Sequence, residues 1–155
     1  YIGRRSRLFD FNYINLGFSG SAKGEQAMMD YIAGLDMSMF VYDYDHNAPD
    51  PAHLAATHYK GYQTVRASHP DIPIIMASRP TYDHPRENAA ERRDVIAASY
   101  ERARAEGDGN VYFVDGAKVF STFFADGCTV DGTHPTDLGF YRMAEAFGEI
   151  IARIF

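Results

Sequence analysis

MSMFVYDYDHNAPDPAHLAATHYKGYQTVRASHPDIPIIMA, residues 37–77, decides the fold. Its opening, residues 37–42, is an almost unbroken apolar run and reads as a buried strand. Residues 43–50 form a polar loop, punctuated by Pro49 and by Pro51 just beyond it. Asp50 is placed to cap a helix whose first turn holds Pro51 and which runs to about Ser68. Residues 72–77, IPIIMA, are a second strand with Pro73 near its start. Strand, long helix, strand implies parallel pairing through a right-handed crossover.

The same alternation continues in both directions. Downstream, a Pro-rich loop covers residues 78–86, and a long charged helix covers residues 87–106, ended by Gly107. Residues 111–114 are a strand and residues 118–124 a short helix. A polar loop with two glycines, residues 125–135, leads into a last helix over residues 136–154. Phe140, Met143, Ala144, Phe147, Ile151 and Ile154 share one face of that helix, which should be buried. Upstream, residues 12–16 read as a short strand ended by Gly17. Residues 24–34 read as a helix with Ala27, Met28, Tyr31, Ile32 and Leu35 at helical spacing. The expected architecture is a three-layer α/β/α sandwich with a parallel sheet, one domain over residues 1–155. Ligands bind such sheets beyond the carboxyl ends of the strands, so the chemistry belongs in the loops found there.

Composition narrows the function classes. Hydrophobic residues make up 46% of the 155, enough for a sizeable core. A formal charge of −6 argues against nucleic-acid or anionic-membrane partners, which need a basic face. The single cysteine, Cys128, allows no intramolecular disulfide. No apolar run approaches the roughly 20 residues needed to span a bilayer, and no signal peptide opens the chain. The compartment stays open.

Four polar loops carry candidate chemistry. In Asp131-Gly132-Thr133-His134-Pro135, a curled loop would let the Asp131 carboxylate accept from one imidazole nitrogen of His134. The other nitrogen is then free to take a proton from a hydroxyl. Pro135 would sit at a helix start and fix the backbone beside His134. The same residues also fit a self-satisfied turn beside an exposed histidine. In Asn15-Leu16-Gly17-Phe18-Ser19-Gly20, an outward N–H at Gly20 could donate to a developing oxyanion, or the stretch is a plain Gly-rich turn. Ser19 has no base beside it in sequence and reads as part of that turn. In Asp43-Tyr44-Asp45-His46-Asn47, the Asn47 amide could be a second oxyanion donor. Alternatively the turn satisfies its own backbone, or Asp43, Asp45 and His46 serve as metal ligands. Arg79, with Tyr82, Asp83 and His84 beyond it, could bind a polar substrate group or pair with an acid.

Three of these loops together resemble the SGNH/GDSL hydrolase family. Gly20 in NLGFSG matches the block with the oxyanion glycine, Asn47 in DYDHN the block with the oxyanion asparagine, and Asp131 and His134 in DGTHP the terminal D-x-x-H-P block. They occur in the family's order across most of the chain. The phrase NLGFSGSAKGE resembles bacterial GDSL-like acylhydrolases often found beside carbohydrate-active modules. The resemblance implies a flavodoxin-like fold and a serine esterase acting on carboxylic esters, acylated carbohydrates among them. His134 would be general base and acid, Asp131 its orienting partner, and Gly20, Asn47 and the serine's own N–H the oxyanion donors. No metal or organic cofactor is implied.

The chain departs from the family in one respect. The strand and G-D-S-like turn that carry the nucleophile should precede Asn12 by a helix, yet only residues 1–11 stand there. They read as the tail of the helix that follows the nucleophile, and Ser6 in Arg4-Arg5-Ser6-Arg7 has no strand before it, so no nucleophile is assigned in this chain. In the family's 2-1-3-4-5 strand order, the absent first strand would lie between the first two strands visible here. The expectation is an N-terminally incomplete domain completed by further upstream chain; the alternatives are a partner chain that fills the slot, or strands closed up in a changed sheet. The rival reading is a non-catalytic binding module that kept the fold. Chelator sensitivity would mark a third, metal-dependent phosphoesterase.

Overall fold

A computed structural model describes residues 1–80, 88–121 and 123–155. Its centre is a parallel three-stranded sheet in the order β1-β2-β3, with β1 Phe40–Tyr42, β2 Ile74–Ala77 and β3 Val111–Val114. Phe40 pairs with Ile74 and Tyr42 with Met76; Ile74 pairs with Val111 and Ala77 with Val114. Helices α1 Ile2–Phe9, α2 Gln26–Ala33, α3 Pro51–Ser68, α4 Ala89–Ala105, α5 Gly116–Val119 and α6 Asp137–Ile154 surround it.

Successive strand residues point to opposite faces, and the two cores divide accordingly. Phe40, Tyr42, Ile74, Met76, Val111 and Phe113 join the core that includes Met29, Leu54, Val65 and Ile96 of α2, α3 and α4. Met39, Val41, Ile75, Ala77, Tyr112 and Val114 join the core that includes Val119, Met143, Phe147 and Ile151 of α5 and α6. Helix α1 closes over that second side. Arg5 donates from Nε to the Ala144 carbonyl, and the Tyr1 ring stacks on Phe147 with centroids 4.7 Å apart. The result is the three-layer α/β/α arrangement expected from the alternation.

Helix α3 starts as its sequence dictates. Asp50 Oδ1 accepts from the His53 N–H at 2.7 Å, and Pro51 occupies the first turn. Four expectations are corrected. Residues 12–16 form no strand. A strand needs a ladder partner, none of the described strands pairs with this segment, and of its side chains only Leu16 packs on the core. On α2, Tyr31 is exposed while Met29 and Ile32 are buried; α2 is one turn shorter than its apolar pattern suggests, and packing on α3 selects the other edge of the stripe. On α6, Met143, Ala144, Phe147 and Ile151 are buried, but Phe140 remains 43% exposed; the buried residue of the first turn is Gly139, against the Cys128 carbonyl. The short helix placed at residues 118–124 forms earlier, at Gly116–Val119, where the Asp115 side chain accepts from the Ala117 N–H.

One pair of buried ionisable groups sets an expected pH response. His58 of α3 is fully buried against the Tyr42 and Tyr44 rings, with neither ring nitrogen bonded. Burial lowers its pKa from 6.5 to about 3. Asp43, at the end of β1, accepts from the Tyr1 hydroxyl at 2.9 Å; burial, opposed by that bond, raises its pKa from 3.8 to about 6. Between pH 3.8 and about 6 the unfolded chain holds the extra proton at His58 and the folded protein holds it at Asp43. His58 therefore makes stability rise with pH in this window and Asp43 makes it fall, each by at most about 1.4 kcal/mol per pH unit. Asp43→Asn should steepen the rise of stability from pH 4 to 6 relative to the unsubstituted protein, and His58→Phe should reverse it. Urea midpoints measured across that range check both; parallel curves for all three proteins would refute the opposition.

Candidate active site

Among the described residues, the bonds of the loop that leads into α6 are mostly local. Gly132, at φ 81°, lets the chain curl where other residues would be strained. The Asp131 carboxylate then faces back on its own loop. Its Oδ1 accepts from the Thr133 N–H at 2.9 Å and the His134 N–H at 2.8 Å, and its Oδ2 lies 2.7 Å from His134 Nδ1. The amide and ring of His134, with the amide of Thr133, hold the Asp131 carboxyl well below the usual carboxylate range. An ionised Asp131 fixes the tautomer: Nδ1 carries the proton and Nε2 presents its lone pair. That side of the ring is open, with the His134 side chain 78% exposed.

The loop is tied down at both ends. Val130 N–H donates to the His134 carbonyl at 2.9 Å, and Thr129 bridges to Pro135. Thr136, not Pro135, caps α6: its Oγ1 accepts from the Gly139 N–H at 3.3 Å and donates to the Gly127 carbonyl at 2.7 Å. Pro135 stands one residue earlier, and Thr136 supplies the side-chain oxygen that proline lacks. Gly139 is required by contact. A Cβ there would lie 2.1 Å from the Cys128 carbonyl oxygen, the same oxygen that accepts from the Thr136 N–H at 2.9 Å.

Gly20 lies in a tight turn. Ser21 N–H donates to the Phe18 carbonyl at 3.0 Å, and both central residues take positive φ, 44° at Ser19 and 84° at Gly20. That is the backbone pattern of a type I′ turn, which favours glycine at the second position. Among the described residues the Gly20 N–H has no partner. Ser19 is a turn residue, and the Ser6 hydroxyl donates to the Phe11 carbonyl at 2.6 Å where α1 ends.

Asn47 ends a 3-10 turn, Asp45–Asn47, just past β1. Its N–H donates to the Tyr44 carbonyl at 2.9 Å, while its side-chain amide has no partner among the described residues. Beside it, Asp45 is completely buried and accepts from the Arg79 N–H at 2.8 Å and from Arg92 Nη1 at 3.3 Å. Burial pushes the Asp45 carboxyl up, against the pull of the Arg79 amide and the Arg92 guanidinium. These bonds, and the Tyr1 bond to Asp43, engage the carboxylates of Asp45 and Asp43. Among the described residues no group of three or more His, Cys, Asp or Glu side chains could hold a metal ion.

Direct bonding unites Asp131 with His134, whereas Gly20 and Asn47 stand on separate loops and bond to neither. Arg79 follows β2, and its main chain, through the bond to Asp45, ties that loop to the Asn47 turn. Tyr82, Asp83 and His84 lie outside the described residues. Arg92 was missed in the sequence, although a signal was there. Ala89, Arg92, Ile96, Ser99 and Ala103 are the buried residues of α4 and fall at helical spacing. An arginine inside that stripe must have a buried partner.

A family model described as GDSL-like Lipase/Acylhydrolase family matches residues 3–152. Among solved structures, the chain is similar to a GDSL-like lipase from Bacteroides ovatus ATCC 8483, with a TM-score of 0.86 and 34% identity. That match covers 97% of this chain and 46% of the other. The fold also matches salicylyl-acyltransferase SsfX3 from a tetracycline biosynthetic pathway, with a TM-score of 0.79 and 20% identity over 96% of this chain and 47% of that one. The chain thus spans less than half the length of each of these two structures. A search of curated proteins found no relative.

Proposed function

This chain belongs to the GDSL-like lipase/acylhydrolase family, and from that membership we propose that it is the greater part of a serine acylhydrolase active site. The 2.7 Å contact between His134 Nδ1 and Asp131 Oδ2, with Nε2 open, is the observation that carries the reading. The nucleophilic serine comes from a segment outside this chain. Its hydroxyl oxygen attacks the acyl carbon while His134 Nε2 takes the proton and Asp131 holds the imidazolium. Gly20 N–H, the Asn47 amide and the serine's own N–H hold the oxyanion. Collapse breaks the ester C–O bond, and His134 returns the proton to the leaving alkoxide. Water then attacks the acyl-enzyme by the same route and releases the carboxylic acid.

Acylated carbohydrates are the substrate class that the NLGFSGSAKGE phrase favours, and Arg79 is the candidate for contact with a polar substrate group. The test compares p-nitrophenyl acetate and acetylated oligosaccharide hydrolysis by this chain and by a version extended upstream to the natural start codon. Turnover by the extended protein alone, with labelling of one serine by a phosphonate probe, is the expected result. Folded but inert proteins in both cases would favour the non-catalytic binding module. Activity in the short chain would refute an external nucleophile.

A further inference from the structure

Asp45 and Arg92 have no place in the chemistry just described, yet they are among the few charged side chains buried in the protein, 0% and 6% exposed. We propose that they are positioning residues that hold the Asn47 amide at the oxyanion. The inference rests on the reading of Asn47 as an oxyanion donor.

One guanidinium grips both ends of the turn that carries Asn47. Arg92 Nη1 donates to the Asp45 carbonyl at 3.0 Å and to Asp45 Oδ1 at 3.3 Å, and Nη2 donates to the Ala48 carbonyl at 2.5 Å. The residues bonded thus flank Asn47 on both sides. The other carboxylate oxygen, Asp45 Oδ2, accepts from the Arg79 N–H at 2.8 Å, which ties the turn to the end of β2. Helix α4, the exit of β2 and the Asn47 turn are thereby locked into one unit. Within it Asn47 keeps a side chain free of described partners.

Stability alone is a weak reason for such a pair. A buried ion pair often contributes no more than well-packed apolar residues of similar size. Catalysis supplies a stronger one, because an oxyanion donor acts only within about 2.7–3.1 Å of the oxyanion. A shift of about 1 Å in a reacting geometry can cost up to about a hundredfold. Lysine cannot replace the clamp, since its single ammonium lacks the planar fork that reaches two carbonyls and a carboxylate together.

The test is a double-mutant cycle in the upstream-extended enzyme, with kcat and KM measured separately. Arg92→Lys should lower kcat about tenfold and leave KM within about twofold. In an Asn47→Ala background the same substitution should change kcat by less than about twofold, because the donor it positions is gone. Asp45→Asn keeps the size and the acceptor for the Arg79 N–H, and should reproduce both results if Arg92→Lys fails to fold. Circular dichroism at the assay temperature confirms the folded state. Equal losses in both backgrounds would overturn the proposal and leave the pair as structural residues. An Asn47→Ala enzyme with unchanged kcat would instead overturn the oxyanion assignment, and the clamp with it.

Discussion

Replacing His134 with alanine should reduce kcat of the upstream-extended protein by on the order of 10⁴-fold or more, with little effect on folding. The size of the effect follows from what the imidazole does. A serine hydroxyl is a poor nucleophile at neutral pH, and among the described residues the base bonded to Asp131 is His134. The small effect on folding follows from the contacts. The His134 ring is largely exposed, and the bonds that hold the loop run through main-chain atoms and through Thr129, Asp131 and Thr136. Alanine keeps the His134 N–H and carbonyl that these bonds use. Steady-state p-nitrophenyl acetate kinetics and a thermal melt measure the two halves of the statement. A near-normal rate would remove His134 from the role of base.

Asn47→Ala should cost on the order of a hundredfold or more in kcat, with KM changed far less. The side-chain amide has no described partner in the resting protein, so it is free to donate when negative charge develops on the substrate oxygen. An interaction made only in the transition state lowers kcat and kcat/KM together. The substitution leaves intact the Asn47 N–H bond to Tyr44 and the Arg92 bonds to either side, so the turn should survive it. A rise in KM with unchanged kcat would make Asn47 a ground-state contact instead.

The features that could be read in advance were the locally determined ones. Strand β3 occupies the four residues expected, 111–114, because β-rich residues stand there between a glycine-bounded turn and a capping aspartate. Asp50 and Pro51 open α3 as their chemistry requires. The spacing of Asp131 and His134 left two readings, a pair or a self-satisfied turn beside an exposed histidine, and the bend at Gly132 produces both at once. Residues 12–16 were misread because a strand is a property of a pair, and their β-like composition says nothing of what lies alongside. Phe140 and Tyr31 fit an apolar stripe, but which edge of a stripe is covered depends on tertiary packing. The Asp45–Arg92 pair spans 47 positions, and no local pattern links its halves; only the helical spacing of Arg92 pointed inward.

These separations bear on how the site comes into being during folding. The Asp131–His134 bond closes a loop of three residues and can arise as soon as the first turn of α6 forms. The Arg92 bonds to Asp45 and Ala48 close loops of 47 and 44 residues, whose closure entropy is met only when β1, β2 and α4 have already docked. The Asp131–His134 pair is therefore written into one short stretch of chain, while the clamp on the Asn47 turn exists only in the nearly finished protein.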